Sequence, residues 1–232
     1  MIDFHSHILP GIDDGSRNVD ESLTLLSMLR QQGVSVTCAT PHFYIEDNNV
    51  SQFLYKRQAS YERLIYHPDY AGDAIKLGAE VRYFSGLSHL NDLDKLRLQG
   101  TKLLLIEMPF TKWSGFDLRE IDEINSSYEF AVVFAHIERY LPFQSHDIID
   151  RLLEKDILIQ CNASFFANKS TRRKALKMLK NGQIHFIGSD CHSVDERPPR
   201  FTEFEYCVRE KFGEPFLRAF EHESYALSEE FK

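Results

Sequence analysis

Seven short apolar segments recur along this chain with helix-like stretches among them, and six of the seven end in or carry an imidazole or a carboxylate. The segments cover residues 2–5, 34–40, 75–84, 103–107, 130–136, 157–161 and 184–189. Residues 19–32, 50–66, 117–125, 147–155 and 170–181 read as helices, and a last helical region over 202–222 breaks near Gly213 and Pro215. Asn18-x-x-Glu21 has the form of a capping box, Val19, Leu23, Leu26 and Leu29 keep helical spacing, and Gly33 suits the residue just past the helix. Alternation of this kind favours a parallel α/β fold. In a parallel barrel the loops after the strands open on one face, so groups at strand ends converge however far apart they lie in sequence. An open doubly wound sheet gathers ligands mainly at one switch point, so six contributing strands predict a closed or nearly closed barrel.

The groups at those ends are metal ligands by type. His5 and His7 flank Ser6, and in an extended segment residues i and i+2 face the same side, so both rings can grip one ion. Asp190 and His192 repeat the spacing around Cys191. Glu107 follows four consecutive aliphatic residues and His136 a six-residue apolar run, and ionisable groups at the ends of buried strands need partners. With Asp14, His42 and Glu80 placed comparably, nine nitrogen and oxygen donors point to a multinuclear metal site and metal-assisted hydrolysis. Each has an ordinary alternative: a turn for Asp13-Asp14-Gly15, a strand-end hydrogen bond for His42, a surface ion pair for Glu80, Glu107 or His136.

A chain of 232 residues with 43% hydrophobic content buries a substantial core, and one domain over 1–232 is expected. No apolar run approaches the ~20 residues of a membrane span, and the start has neither the basic nor the apolar region of a signal peptide, so a cytoplasmic protein without membrane insertion is expected. Cys38, Cys161, Cys191 and Cys207 form no Cys-x-x-Cys pair, and reduced thiols are the ordinary reading. The balance of 27 basic against 35 acidic residues, net −8, argues against a nucleic-acid partner. Three divalent ions would nonetheless set +6 against the −4 of Asp14, Glu80, Glu107 and Asp190, which predicts a positive pocket and an anionic substrate.

Here a resemblance enters. The run Met-Ile-Asp-Phe-His-Ser-His-Ile-Leu-Pro-Gly-Ile-Asp-Asp-Gly over 1–15 is followed by Ala-Thr-Pro-His at 39–42, Gly-Ala-Glu at 78–80 and Leu-Ile-Glu at 105–107. Ala-His-Ile-Glu-Arg-Tyr at 135–140, Gly-Ser-Asp-Cys-His at 188–192 and Arg-Pro-Pro at 197–199 complete the series. Together these motifs resemble the polymerase-and-histidinol-phosphatase (PHP) superfamily, and within it the bacterial capsule and exopolysaccharide type of protein-tyrosine phosphatase. They run in order from residue 1 to about 200. The resemblance implies a single-domain, distorted seven-stranded parallel β/α barrel holding three divalent ions. It implies a first ion on His5, His7, Glu80 and Asp190, a second on Glu107, His136 and the bridging Glu80, and a third on Asp14, His42 and His192. Manganese is the ion the family suggests, while a thiolate-free donor set also suits Fe, Zn or Co. Arg139 and Arg197 match arginines that hold the phosphate, a task for which a guanidinium fork is well shaped.

The implied chemistry is attack of a metal-activated hydroxide on phosphorus, with no phosphoenzyme and with His42 a candidate general acid beside its ligand role. The implied substrate is a phosphotyrosyl protein, the tyrosine-rich tail of a bacterial tyrosine kinase governing polysaccharide export. Phe43, Trp113, Tyr140 and Phe166 either flank the substrate ring or pack on the barrel. The segments 44–50, 109–116 and 165–168 depart from the family pattern and are expected to rim the pocket. Two rival functions stand beside this one: a small-molecule phosphatase such as one acting on histidinol phosphate, and a non-catalytic metal-binding regulator. The spacing of Cys191 and Arg197 also mimics the Cys-x5-Arg loop of thiol phosphatases, but Asp195 and Glu196 inside such a loop would repel a phosphate.

Overall fold

Alternate residues of the central strands belong to two different apolar clusters, and this division shapes the molecule. The computed structural model describes residues 1–127, 129–145 and 147–232. Its strands are β1 (Ile2–Ser6), β2 (Val36–Ala39), β3 (His42–Phe43), β4 (Ala74–Leu77), β5 (Glu80–Arg82), β6 (Leu103–Glu107), β7 (Ala131–Phe134), β8 (Leu158–Asn162) and β9 (Phe186–Gly188). Leu103 and Leu105 of β6 and Ala131 and Val133 of β7 join Phe4, Cys38, Leu158 and Phe186 in an inner cluster. Leu104, Ile106, Val132 and Phe134 face the other way, into the larger cluster shared with the helices. A parallel sheet covered on both faces is expected to be apolar on both faces, and these strands are.

The helices are α1 (Val19–Gln31), α2 (Val50–Ile65), α3 (Gly115–Asn125), α4 (Ile148–Leu153), α5 (Ser164–Ala167), α6 (Arg172–Lys180), α7 (Phe201–Phe212) and α8 (Glu214–Glu230). Their starts follow local chemistry. The Asn18 side chain accepts from Glu21 N as the sequence predicts, but Glu21 turns to the Arg17 guanidinium instead of closing the box. Full capping boxes occur at Asn49–Gln52 and Ser114–Asp117. The helix break at Gly213 separates α7 from α8, which runs on to Glu230, eight residues past the expected end. Among the described residues no helix is long and apolar enough to cross a membrane.

All strand pairings are parallel, in the orders β1-β2-β4 and β3-β5-β6-β7-β8-β9, and the six-stranded sheet forms a half-barrel. This differs from seven continuous strands. The expected strand over 34–40 stops at Ala39 and resumes at His42 across Thr40 and Pro41, and the one over 75–84 is interrupted at Gly78 and Ala79. Pro41 has no N–H to give a ladder. At Gly78 a Cβ would stand 3.3 Å from both Leu98 and Thr40 side chains, so the neighbours press closely on the bend. The two breaks lie side by side: Gly78 N donates to Ala39 O at 2.9 Å and Glu80 N to Pro41 O at 3.1 Å. At the other margin Asp190 N donates to His5 O at 2.7 Å and His7 N to Cys191 O at 3.0 Å, so β1 is tied to the chain leaving β9.

Candidate metal centre

The nine sequence-selected donors come together at one end of the strands, each delivered by a strand end or the turn beyond it. His5 lies on β1 and His7 just past it, His42 and Glu80 open β3 and β5, and Glu107 closes β6. His136 and Asp190 follow β7 and β9 with left-handed backbone, φ +32° and +49°, which turns each chain off its strand. Such conformations are sparsely populated by non-glycine residues and gather at functional sites. Glycine is required nearby for a different reason. A Cβ on Gly15 would stand 2.3 Å from His7 O, and one on Gly188, the last residue of β9, 2.5 Å from His5 Cβ, so only glycine lets these two segments pack against the histidines.

The spacings are those of ligands around shared ions. His5 Nε2 and His7 Nε2 face each other at 3.1 Å, and Glu80 Oε2 stands 3.2 Å from both. Asp190 Oδ1 is 3.7 Å from His5 Nε2 and 3.5 Å from His7 Nε2. Asp14 Oδ1 lies 3.4 Å from His42 Nε2 and 3.5 Å from His192 Nε2, while His136 Nε2 lies 2.7 Å from Glu80 Oε1 and 3.4 Å from Glu107 Oε1. Donors each about 2.0–2.2 Å from one cation stand roughly 3–3.5 Å apart, so the nitrogen and oxygen edges here have the length of coordination edges. The groupings also overlap: His7 adjoins Asp14, His42 and His192, and His42 adjoins Glu80 and Glu107.

Partners on the far side of the rings decide which nitrogen points inward. Asp13 Oδ2 accepts from His7 Nδ1 at 2.8 Å, Gln160 Oε1 lies 3.1 Å from His5 Nδ1, and the Asp190 carbonyl lies 3.0 Å from His192 Nδ1. A proton held at Nδ1 by an acceptor leaves Nε2 with its lone pair toward the centre. The lone pairs of His5 and His7 then confront each other and a Glu80 oxygen, an arrangement that needs a cation or protons between them. Glu80 Oε2, Glu107 Oε2, His42 Nδ1, His136 Nδ1 and His192 Nε2 are buried without hydrogen-bond partners among the described residues. Native proteins rarely leave buried polar atoms unsatisfied; His42 Nδ1 stands 3.0 Å from Glu80 Oε2 and Arg82 3.5 Å from Glu107 Oε2 without a hydrogen bond closing either contact, and this set of donors fits a bound cation.

Electrostatics follow from the same contacts. Burial disfavours charged imidazoles, yet Asp13 holds His7 up to about 9, Asp14 and Glu80 hold His42 up to about 11, and Glu107 and Glu80 hold His136 up to about 9. Burial alone would raise Glu80 and Asp190, but both lie well below the usual carboxylate range, Glu80 chiefly through His5 and His136 and Asp190 through His5 and Arg139. Imidazoles that carry protons among carboxylates lose them to solvent when a divalent cation takes their lone pairs. The residues therefore fit the metals the sequence implied.

A model of the family described as capsular polysaccharide synthesis, CpsB/CapC, matches residues 1–224. The chain belongs to that family. The protein named tyrosine-protein phosphatase CpsB of Streptococcus agalactiae is 28% identical over 238 residues, covering 92% of this chain and 91% of its own. Tyrosine-protein phosphatase YwqE of Bacillus subtilis is 28% identical over 222 residues, 92% of this chain and 85% of its own. A solved structure from work on YwqE and Streptococcus pneumoniae CpsB, described as metal-dependent tyrosine phosphatases, superposes with TM-score 0.84 at 25% identity, covering 100% of this chain and 96% of that one.

Beside the nine donors in this CpsB/CapC chain, Arg139 and Arg197 both reach Asp190 Oδ2, Arg197 at 2.8 Å, and both are half-buried at the mouth. Of the two readings open for the four core-type aromatics, packing is the one that describes them, although the Tyr140 ring also stands 5.4 Å from His136. Phe43, Trp113, Tyr140 and Phe166 are all buried in the core, where Trp113 packs edge-on to Phe134 and Tyr140. Two other rings border the donors. Tyr44 stacks on His42 at 5.1 Å, with the Arg82 guanidinium 5.6 Å from its centroid, and Phe110 stacks 5.9 Å from His136. Cys191 is fully buried and burial drives its thiol upward, so the Cys-x5-Arg spacing makes no nucleophile.

Sequence reasoning assigned Asp13 only to a turn and passed over Gln160 and Asn162. Asp13 does hold the turn, accepting from Gly15 N at 3.0 Å, and it also orients His7 and accepts from His42 N at 3.0 Å. Gln160 Oε1 accepts from His136 N at 2.6 Å as well as facing His5, and its Nε2 donates to Asn162, which donates to Asp190 Oδ2 at 2.8 Å. The signal was available: two amides at i and i+2 at the end of an apolar strand, the spacing that marked His5 and His7.

Proposed function

We propose that this chain is a metal-dependent phosphatase of phosphotyrosyl proteins. The observation that carries this is the convergence of His5, His7, Asp14, His42, Glu80, Glu107, His136, Asp190 and His192 at one strand end, with two arginines at its mouth. His5, His7, Glu80 and Asp190 would hold one ion, Glu80, Glu107 and His136 a second, and Asp14, His42 and His192 a third. About three per chain is the expected load, with manganese the leading ion and Fe, Zn or Co compatible with the same donors. The fold that presents them is read as a distorted seven-staved barrel, each interrupted strand counting as one stave.

When bound, such ions supply an activated water nucleophile and neutralise phosphoryl charge. The chain's own residues do the rest. Asp13, Gln160 and the Asp190 carbonyl fix the tautomers of His7, His5 and His192, so that the donor set is organised before substrate arrives. Arg139 and Arg197 offer guanidinium forks to the phosphoryl oxygens, where developing charge is best stabilised. Tyr44 and Phe110, on the His42 and His136 sides, offer flat faces to a phenyl ring. His42 combines a ligand position with candidacy as general acid. A tyrosine kinase of the polysaccharide-export machinery is the expected protein partner, and four free, buried cysteines accord with a cytoplasmic setting.

Steady-state kcat/KM on phosphotyrosyl peptide, phosphoseryl peptide and histidinol phosphate, with metal content measured on the same preparation, tests the reading. Preference for phosphotyrosine is expected. Preference for histidinol phosphate would overturn the substrate class, and failure on all three with metals bound would leave a non-catalytic regulator.

A further inference from the structure

The two flanks of the mouth differ, and only one of them leads to a strongly cationic surface. On one side Asp14, Asp195, Glu196 and Arg197 line a recess of 320 Å³ with Arg17, whose guanidinium is paired with Glu21. On the other side an open groove of 620 Å³ starts at Glu138 and Arg139 and runs past Asn168 and Thr171 to the beginning of α6, with Arg200 and Glu203 on its wall, so that its own lining is balanced in charge. A second groove, of 460 Å³, follows α6 along Lys174 and Lys177, opposite Leu141 and Gln144 of the turn after Arg139, with Asp150 as its one acidic lining residue. Both grooves thus lie between the segment that carries Arg139 and the segment that leads into α6.

That segment is the most basic in the chain. Residues 169–180 contain Lys169, Arg172, Arg173, Lys174, Lys177 and Lys180 and no acidic residue, in a protein of net charge −8. Arg172 is structural, its guanidinium donating to the carbonyls of Phe166 and Ala167. The other five are exposed, and among the described residues none has a carboxylate within 4.0 Å. Several arginines elsewhere differ: Arg30, Arg151, Arg209 and Arg218 on other helices, and Arg17 and Arg200 just before helices, all meet a carboxylate. The buried face of α6, Ala175, Leu176, Met178 and Leu179, seats the helix in the core, so its outer face is purely cationic and has no apolar group to insert into a bilayer.

We propose that this cationic face, with the grooves that join it to Arg139, is the docking surface for acidic residues flanking the phosphotyrosine of a polypeptide substrate. The inference rests on the phosphatase reading. Carboxylates beside the scissile phosphate are drawn toward Arg173, Lys174, Lys177 and Lys180 and turned away from Asp195 and Glu196, which fixes the side on which the polypeptide leaves the pocket. Exposed ion pairs are individually weak, so several acting together are expected to change KM by roughly tenfold, with kcat little altered.

The test compares the full chain with the R173Q/K174Q/K177Q/K180Q variant on three substrates: a phosphotyrosyl peptide flanked by glutamates, the same peptide flanked by serines, and a small aryl phosphate. The native chain is expected to show a KM roughly tenfold lower for the glutamate peptide, a preference that shrinks in about 0.5 M salt. The variant is expected to treat both peptides alike and to hydrolyse the aryl phosphate at the native rate. A variant that keeps the glutamate preference overturns the proposal. So does an unchanged peptide preference accompanied by lost sedimentation with phosphatidylserine vesicles, which would give the surface to a membrane. Fluorescence anisotropy of the labelled glutamate peptide separates the two readings: if no substrate is turned over, the phosphatase reading fails, and docking still stands or falls on whether the variant binds the peptide more weakly.

Discussion

Replacing Gln160 by Leu should weaken metal binding without touching any proposed ligand. Gln160 is fully buried, and its carbonyl oxygen faces both His5 Nδ1 at 3.1 Å and the backbone N–H of His136 at 2.6 Å, while its amide donates to Asn162 at 2.9 Å. Leucine fills similar volume and removes all three partners. Each buried group left unpaired costs about 1–3 kcal/mol, and three that share one network give a total of roughly 3 kcal/mol rather than a simple sum. Loss of an orienting partner typically lowers metal affinity 10–100-fold, equivalent to about 1.4–2.8 kcal/mol. The assay is competitive titration of the metal-free protein with a chromophoric chelator, alongside thermal unfolding in excess chelator. A Gln160→Glu variant separates the two effects, since it retains an acceptor for His5 and His136. If Gln160→Leu lowers Tm in chelator yet binds metal with native affinity, Gln160 supports only the fold and the orienting argument is wrong.

Four other outcomes are expected. Metal uptake should release protons and tighten as pH rises toward about 9, because His7 and His136 titrate there in the protein's own field and must lose protons to bind; isothermal titration in buffers of different ionisation enthalpy reads the count. The sign for stability is opposite: folded values above the ordinary 6.5 mean that these imidazolium contacts are fully present below that pH, and the metal-free protein should lose stability between about 6.5 and about 9, measurable by denaturant midpoints. Arg139→Ala and Arg197→Ala should each lower kcat/KM about 10²-fold with metal content unchanged, and lysine should rescue poorly because it lacks the fork; near-native kinetics in both would remove them from the site. Cys191→Ser should keep most activity while His136→Ala and Asp190→Ala abolish it, and a dead serine variant with its metals retained would reinstate the thiol.

How much of this could be read beforehand depends on whether a feature is local. The seven apolar runs were legible because strand burial writes itself as hydrophobicity, and the donors because imidazoles and carboxylates at strand ends are conspicuous. The splitting of two runs at residues 40–41 and 78–79 was not, since the bend depends on Gly78 meeting Leu98 and Thr40, contacts that no single segment contains. Aromatic placement stayed open in the sequence for a related reason. Phe43 and Tyr44 are consecutive, and alternation along a strand sends one to the core and the other to His42; which goes where is set by register, not by residue type. Asp13 and Asp14 likewise look alike in sequence, yet one orients His7 from behind and the other points at His42 and His192.

The strand without a donor turns out to hold its neighbours' donors in place. β8 alone among the seven expected runs offers no metal-ligand candidate, and it lies between β7 and β9, whose ends carry His136 and Asp190 in left-handed backbone. Such conformations cost about 1–3 kcal/mol each, so something must hold them. Gln160 takes the His136 N–H, Asn162 takes an Asp190 oxygen, and His5 O accepts the Asp190 N–H. Below them Phe4, Leu105, Val133, Leu158 and Phe186 pack the inner cluster. Burial worth roughly 1.5–3 kcal/mol per large apolar side chain is ample to offset the strain, and the polar layer directs that stability into two fixed side-chain positions. Amides serve here better than carboxylates or apolar residues: they accept from one group and donate to another without adding charge beside Asp190 and Glu80, which the metals must balance.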